Sequence, residues 1–393
     1  MPASAKISSS RLLSLDILRG ITIAGMILVN NPGSWTGIYA PLRHAEWNGL
    51  TPTDLVFPFF MFIMGISTYF SLRKFQFKMS GHLMWKIVRR TLLIYLIGLG
   101  IEWFGNFCYG LAGSDPMLPL WDRICVSANS FAHLRLVGVM PRLAICYFLG
   151  SLIAVTVKHK LIPWLVGVIL VAYGIILFVG HGYEFSHENI IYAFDSAILG
   201  DAHMYGGLTV DGTNMVFDPE GLLSTLPCVA HVLIGLMCGE AIMKTKDNNR
   251  RSSAMLLVGV VLTFSGLLLS YGLPLNKNIW SPTYVLTTCG LAASLLGLLI
   301  WIIDIKGHSA WCRFFESFGI NPLFLYVLGE VLCILFGSVG IAGTTIKEWL
   351  FSGVLLPIVS DEYVASCLYA MLFVIINWSI GYILYRKKIY IKI

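Results

Sequence analysis

His44 is the side chain in this sequence best suited to chemistry, because an imidazole titrates near neutral pH and can act as a general base. It lies in the run RHAEWNGLTPTD, between two apolar segments. A histidine in a loop is also commonly no more than a solvated side chain. Asp54, at the end of the same run, has two readings. It either orients His44 or caps the next helix, since Thr51, Thr53 and Asp54 are all capping residue types.

Asn30 ends the apolar segment that precedes His44. Its amide either donates to a polarised carbonyl, as an oxyanion-stabilising group does, or caps the end of a helix. Asp16 and Arg19 lie three residues apart in the same segment and therefore on one helix face. They form either a structural ion pair or an anion site in which Arg19 meets a phosphate.

Glu102 and Arg142 are charged residues within apolar segments. Charges inside a bilayer are costly and usually pair. We therefore expect these two side chains to pair with each other or with Asp54 and His44.

The composition requires membrane-spanning elements to position these side chains. Hydrophobic residues make up 57% of the 393 residues and charged residues only 12%, with a mean hydropathy of +0.77. A soluble domain carries about 25% charged residues. We predict an all-α, polytopic membrane helix bundle of about 10 transmembrane helices. The predicted spans are residues 12–31, 53–72, 85–104, 137–157, 161–180, 222–243, 254–272, 282–303, 319–339 and 364–385.

The distribution of lysine and arginine predicts the orientation, because these residues concentrate in cytoplasmic loops. Placing both termini in the cytoplasm puts most of them inside, including Lys6, Arg11 and Lys392 near the ends of the chain. The outer loops are the long ones, and recognition is expected there. The basic residues left outside are Arg43, Arg123, Arg135, Lys277 and Lys347.

Other functional classes lack support in the sequence. The net charge of +6 does not predict a nucleic-acid partner, because basic residues in cytoplasmic loops explain this excess of positive charge. The nine cysteines show no metal-ligand spacing, so we predict no metal site. Cys108 and Cys125 share a predicted outer loop, and whether they pair is open. The sequence contains no Walker motif, GxGxxG or nucleophile elbow, so ATP use is not expected.

Several runs resemble the heparan-alpha-glucosaminide N-acetyltransferase family. These are multi-pass enzymes that move acetyl from cytosolic acetyl-CoA to a glucosamine amine on the far side of the membrane. The resemblance implies that residues 1–393 form a single transmembrane acetyltransferase-like domain. The matching runs are SLDILRG, MILVN, HAEWNGLTPTDLVFPFFMFIMG, PRLAICY, DPEGLLSTLP, LPLNKNIWSPTYVLTTCG and GINPLFLYVLGE.

The resemblance also assigns roles to individual residues. The family's essential histidine corresponds to His44, which acts as a base or carries the acetyl group transiently. Its partner asparagine corresponds to Asn30, with Asn31 as the alternative. Asp54 is expected to be the third catalytic residue from its own position and chemistry. The residues expected to bind the acetyl-CoA donor are Asp16, Arg19, Arg313 and Asn321. Those expected to bind the acceptor are Trp47, Asn48, Glu102 and Arg142.

The expected partners are acetyl-CoA, an amino-sugar acceptor of the glucosamine type, the lipid bilayer and, by the resemblance, a second copy in a homodimer. By the resemblance, we expect the chain to lack the luminal extension of the animal enzymes, which predicts a bacterial inner (plasma) membrane; the topology alone would also fit an organelle. A secondary transporter of amino sugars or cell-wall fragments is the alternative function, since transporters also place polar groups within a bundle. A non-catalytic sugar sensor is a third.

Overall fold

The computed structural model describes residues 12–341 and 343–391, so Lys6, Arg11 and Lys392 lie outside the described residues. Long apolar helices dominate it, and the predicted all-α polytopic bundle is confirmed. The α-helices are α1 (Leu13–Asn30), α2 (Val56–Arg73), α3 (Gly81–Gly113), α4 (Leu120–Ala128), α5 (Val139–Thr156), α6 (Ile162–Val179), α7 (Ile190–Leu199), α8 (Thr225–Lys244), α9 (Asn248–Leu269), α10 (Pro282–Leu299), α11 (Cys312–Ile320), α12 (Pro322–Ser338), α13 (Ile346–Glu348), α14 (Leu356–Val359) and α15 (Glu362–Arg386).

Short helical and extended segments complete the fold. Helix α10 continues as a π-helix over Ile300–Ile305, and a second π-helix, Trp349–Leu355, joins α13 to α14. The 3-10 helices are Ala40–Leu42, Pro52–Leu55, Phe131–His133, His159–Leu161 and Asp201–His203. The strands form two antiparallel pairs, β1 (Leu208–Val210) with β2 (Thr213–Met215) and β3 (Gly340–Ile341) with β4 (Thr344–Thr345).

Nine helices within the described part of the chain are long and apolar enough to cross a membrane. A tenth span exists if α11 and α12 count as one, but these two helices meet at 88°. The predicted span 319–339 therefore begins later than expected, at Pro322. Asn321 has φ −121° and ψ 54°, outside the helical region. A residue that precedes proline is disfavoured in the helical conformation, which explains the break.

The helices divide into a central group and a peripheral group. In α8, 72% of the membrane-spanning window is buried, and in α1 and α2 67%. In contrast, only 11% of the α3 window and 22% of the α9 window are buried. Helices α1, α2 and α8 therefore form the centre, and α3 and α9 present most of their apolar surface to lipid.

Glycines permit the closest contacts in this centre. A Cβ on Gly65 of α2 would lie 2.1 Å from the Val232 carbonyl oxygen, and one on Gly235 of α8 would lie 2.2 Å from the Phe62 carbonyl oxygen. Neither position has room for a side chain. Small residues at helix interfaces let backbones approach in this way, which brings α2 against α8.

The predicted outer loops form a small folded cap over one end of the bundle. The β1–β2 hairpin turns at Asp211 and Gly212, whose φ angles of 48° and 78° fit the Asp-Gly turn chemistry. The hairpin contributes Val210 and Met215 to an apolar cluster that is separate from the main core. Its buried residues are Trp47, Tyr173, Leu177, Ile191, Val210, Met215, Phe217 and Ile279.

Candidate active site at the capped end of the bundle

His44 and Asp54 form a hydrogen-bonded pair at the entrance to α2. The His44 Nδ1 and Asp54 Oδ1 atoms are 2.6 Å apart. The second oxygen of Asp54 accepts from the Thr51 backbone N–H at 3.0 Å, the Thr51 hydroxyl at 3.0 Å and the Ala45 backbone N–H at 3.2 Å. Asp54 therefore performs both roles left open by the sequence, since one oxygen caps the turn and the other orients the imidazole.

The local sequence explains this arrangement. Pro52 starts a short 3-10 turn after Thr51, and Asp54 sits at the third position of that turn, where a capping-box acid belongs. The Asp54 side chain is fully buried, whereas 43% of the His44 side chain is exposed. One imidazole nitrogen is thus held by a buried carboxylate while part of the ring remains accessible.

Lys277 lies directly against this pair. Its Nζ atom is 3.1 Å from His44 Nδ1, 3.3 Å from His44 Nε2 and 3.9 Å from Asp54 Oδ1. Burial lowers the pKa of His44, and the charge of Lys277 lowers it further, against the opposing effect of Asp54 and Glu220. His44 is consequently biased toward the neutral imidazole that a base requires.

Arg135 organises a second cluster next to the first. Its guanidinium donates to both oxygens of Asp218, at 2.8 and 2.6 Å, and to Glu220 Oε2 at 2.7 Å. Burial works against the charge of Arg135, but the two carboxylates raise its pKa. Burial likewise opposes the charge of Glu220, yet Arg135 and Arg142 lower its pKa. Glu220 is also close enough to affect the charge of both His44 and Lys277, so it connects the two clusters.

A cavity of about 220 Å³, which we call the outer cavity, lies beside the Arg135 cluster. Its polar lining consists of Asn30, Glu102, Arg135, Tyr326 and Glu330. The Asn30 amide faces the Glu330 carboxyl there. This contact and the charges around it give the cavity the character of a polar binding site.

Asn30 and Asn31 separate clearly in the structure. The Asn31 side chain is buried and donates back to the Ile27 carbonyl oxygen at 2.8 Å. Only Asn30 faces the outer cavity. The geometry therefore favours Asn30 over its neighbour as the site residue.

Further cavities form a row through the bundle from the outer cavity to the opposite end of α1. A cavity of about 560 Å³, the inner cavity, is lined by Arg19, Ser67, Ser71, Arg73 and Lys74 among others. It shares Arg19 and Ser67 with a middle cavity of about 210 Å³. The 11 residues from Arg19 to Asn30 rise by roughly 16 Å along the helix.

A narrow apolar space joins the middle cavity to the outer one. Its volume is only about 10 Å³, and we call it the waist. It shares Phe60, Leu143 and Leu323 with the middle cavity and Val139, Met140 and Tyr326 with the outer cavity. Shared walls thus connect basic residues at one end of the bundle to the polar cluster at the other.

Asp16 and Arg19 form the predicted ion pair at 3.2 Å. Arg19 also donates to the Gly319 carbonyl oxygen at 3.1 Å and to the Ser67 hydroxyl at 3.0 Å. The Gly319 contact places a cation at the C-terminal end of α11, where the helix dipole favours it. Because Arg19 also lines the inner and middle cavities, a structural role and an anion-binding role are compatible.

Glu102 and Arg142 were predicted to pair with each other or with Asp54 and His44, and neither pairing is found among the contacts of the described residues. Arg142 donates to the Gly221 carbonyl oxygen at 2.9 Å and to the Ser224 hydroxyl. Glu102 instead shares the outer cavity with Arg135. Both contacts are made by Arg142 Nη2, whereas its Nε and Nη1 atoms are buried without a hydrogen-bond partner among the described residues.

Three other predicted site residues, Trp47, Asn48 and Asn321, are placed where they support the fold. Trp47 is buried and donates to the Tyr183 carbonyl oxygen at 2.7 Å. Asn48 accepts from Asn276 at 3.3 Å. Asn321 is buried at the α11–α12 bend, with both amide atoms bonded to the backbone of residues 389 and 391 at 2.9 and 2.8 Å. Arg313 is exposed on α11.

Three residues of these clusters, Lys277, Glu220 and Arg135, were not predicted as catalytic or binding residues. Two of them lie within runs that carried the resemblance, DPEGLLSTLP and LPLNKNIWSPTYVLTTCG. Arg135 and Lys277 were also two of the few basic residues predicted outside. Their rarity on the outer side was the signal that could have identified them, because basic residues concentrate on the cytoplasmic side of membrane proteins.

The open question of a Cys108–Cys125 pair is answered by the structure, in which both residues are free thiols.

Known proteins resemble this chain over its full length. Human heparan-alpha-glucosaminide N-acetyltransferase is 29% identical over 456 residues, an alignment that covers 100% of this chain and 62% of the human protein. The mouse protein of the same name is 27% identical over 451 residues, with the same coverage. No family model matches the chain. The resemblance predicted from the motifs is therefore confirmed: the chain is similar throughout to heparan-alpha-glucosaminide N-acetyltransferases, and it spans 62% of their length.

Proposed function

We propose that this protein is a transmembrane acetyltransferase that takes acetyl from acetyl-CoA at the inner cavity and transfers it to the amine of a glucosamine-type amino sugar at the capped end. The row of cavities carries this proposal. It joins a basic mouth containing Arg19, Arg73 and Lys74 to the polar outer cavity. An anionic nucleotide with a slim, mostly uncharged arm suits such a path.

The proposed donor and acceptor sites also define the orientation in the membrane. The inner cavity faces the cytoplasm, where acetyl-CoA is available, and the cap faces outward. Arg73 and Lys74 then lie on the side where basic residues concentrate. A bacterial inner membrane and a homodimeric assembly remain predictions, the first testable by fractionation and the second by the mass of the protein in detergent.

The reaction assigns a step to each group. The acceptor nitrogen attacks the thioester carbonyl carbon, the new N–C bond forms, and the C–S bond breaks. His44 takes the proton from the amine, and the departing CoA thiolate is finally protonated to the thiol. The Asn30 amide donates to the oxyanion formed in between. A route through acetyl-His44 has the same requirement, because an unprotonated ring nitrogen of His44 must attack the thioester.

The test is transfer of radiolabelled acetyl from acetyl-CoA to glucosamine by purified protein in detergent. We expect transfer by the wild type and a loss of about 10²–10⁴-fold in His44→Ala. CoA binding should persist in His44→Ala, because the residue is remote from the inner cavity. Equal transfer by both proteins would remove His44 from the mechanism.

A secondary transporter is the second candidate, and the bend between α11 and α12 favours it, since broken helices line transporter sites. Radiolabelled CoA binding distinguishes the two functions, because a transporter of amino sugars has no use for CoA. The enzyme proposal would be overturned if the protein transferred no acetyl and bound no CoA but supported saturable sugar uptake into vesicles.

A further inference from the structure

Lys277 occupies an unusual position relative to the His44 ring. Its Nζ atom is almost equally distant from the two ring nitrogens, at 3.1 and 3.3 Å. A donor bound in the ring plane to one nitrogen would lie much farther from the other. Nζ therefore lies over the face of the imidazole, and the ring edge remains available to other groups.

The backbone around Lys277 is fixed by its two asparagine neighbours. Asn276 donates to the Asn48 side chain at 3.3 Å, and Asn278 donates to the Glu46 carbonyl oxygen at 3.2 Å. The Gly49 N–H donates to the Leu275 carbonyl oxygen at 2.7 Å. Residues on both sides of Lys277 thus bind the loop that carries His44, which fixes the direction of the Lys277 side chain.

The Lys277 side chain is only 17% exposed, so water screens its charge weakly. The charged groups that face His44 are Lys277 from the loop before α10, Asp54 from the turn before α2 and Glu220 from the loop before α8. The two carboxylates favour the imidazolium, and the ammonium disfavours it. Lys277 is the group of the three that opposes protonation of His44.

We propose that Lys277 is a positioning residue that keeps His44 neutral. Its ammonium lies over one face of the ring and opposes protonation, while Asp54 holds a proton on Nδ1 and leaves the Nε2 lone pair free. The arrangement lets His44 stay next to a buried carboxylate without becoming a permanent imidazolium. This role rests on the proposed function for its catalytic meaning, but its effect on His44 can be measured without any acetyl transfer.

The sign of the expected change follows from the charge. Burial and Lys277 both lower the pKa of His44. Lys277→Met removes the second cause and keeps a side chain of similar length, so the pKa of His44 should rise. Lys277→Arg retains a cation and should behave more like the wild type. Asn278→Ala is the matched control, because it loosens the same loop without changing a charge.

The direct measurement is carbethoxylation of His44 by diethyl pyrocarbonate, which reacts with neutral imidazole, followed by mass spectrometry across a pH series. We expect the midpoint for His44 to move to higher pH in Lys277→Met and to stay near the wild-type value in Asn278→Ala. The acid limb of kcat/KM for acetyl transfer should move in the same direction. The melting temperature of each purified variant in detergent provides the check that it is folded.

An unchanged His44 midpoint in folded Lys277→Met would overturn the proposal, whatever the activity of that variant. Equal movement in Asn278→Ala would do so as well, because it would show that loop geometry and not charge sets the titration. A shifted midpoint in Lys277→Met, beside a wild-type protein that neither transfers acetyl nor binds CoA, would uphold the role of Lys277 and count against the proposed function. The two failures are therefore distinguishable.

Discussion

Replacing Asp54 with asparagine should abolish the proposed acetyl transfer with little change in the shape of the protein. Three donors converge on one oxygen of Asp54, two from Thr51 and one from Ala45. An asparagine can satisfy them only by placing its own oxygen there, because its NH₂ group would meet donors. The NH₂ group must then face His44 Nδ1.

This orientation determines the tautomer of His44. Facing an NH₂ donor, Nδ1 must become the acceptor, and the proton moves to Nε2. A protonated Nε2 cannot take a proton from the acceptor amine or attack a thioester. We therefore expect Asp54→Asn to lose the whole contribution of general-base catalysis, about 10²–10⁴-fold in kcat. This corresponds to roughly 3–5 kcal/mol of transition-state stabilisation.

The assay is single-turnover transfer of radiolabelled acetyl, with CoA binding measured on the same preparation. Thr51→Val is the matched control, because it removes one hydrogen bond to Asp54 and keeps the contact with His44. It should cost stability on the order of 1 kcal/mol, seen as a lower melting temperature, and little activity. If folded Asp54→Asn transferred acetyl within about threefold of the wild-type rate, Asp54 would be a helix cap only, and the tautomer reasoning would be refuted.

Three further outcomes test other parts of the molecule. The double variant Arg73→Gln, Lys74→Gln neutralises both basic residues of the inner mouth and should weaken CoA binding by up to about tenfold at low salt, with a smaller difference at high salt. Equal affinity of variant and wild type at low salt would exclude these residues from the donor site. Leu143→Trp should fill the waist and stop transfer while the nucleotide part of CoA alone still binds, and retained transfer would place the donor path elsewhere. Gly65→Val should destabilise the protein by about 3 kcal/mol or more, because its side chain would meet the Val232 carbonyl, and a melting temperature equal to wild type would contradict that contact.

Much of the fold was predictable because a bilayer imposes simple rules on sequence. Continuous apolar runs of about 20 residues located the spans, including α1 and α8. The α11–α12 bend was not located, because hydropathy continues across Asn321 and the break depends on the proline that follows. Helix α3 extends to Gly113, beyond the predicted end at residue 104, since helical conformation does not stop where apolar composition does.

The candidate site was predictable only in part. His44 and Asp54 are close in sequence, and one short turn brings them together, so their pairing could be anticipated from local chemistry. Lys277 reaches the same place from a loop far along the chain, and only tertiary structure specifies that contact. The same limitation explains why the partner of Arg142 was not predicted. Pairing of buried charges suggested a carboxylate, but its acceptors are the Gly221 carbonyl and the Ser224 hydroxyl.

The waist also has a consequence for the membrane as an electrical barrier. A protein with polar cavities at both ends risks conducting protons through a file of water molecules. A cavity needs roughly 10–15 Å³ to hold one water, and that water needs two to four polar partners. The waist offers about 10 Å³ between side chains such as Phe57, Phe60 and Leu143. It interrupts any such file, so the membrane potential is maintained across a protein that has polar cavities on both sides of the waist.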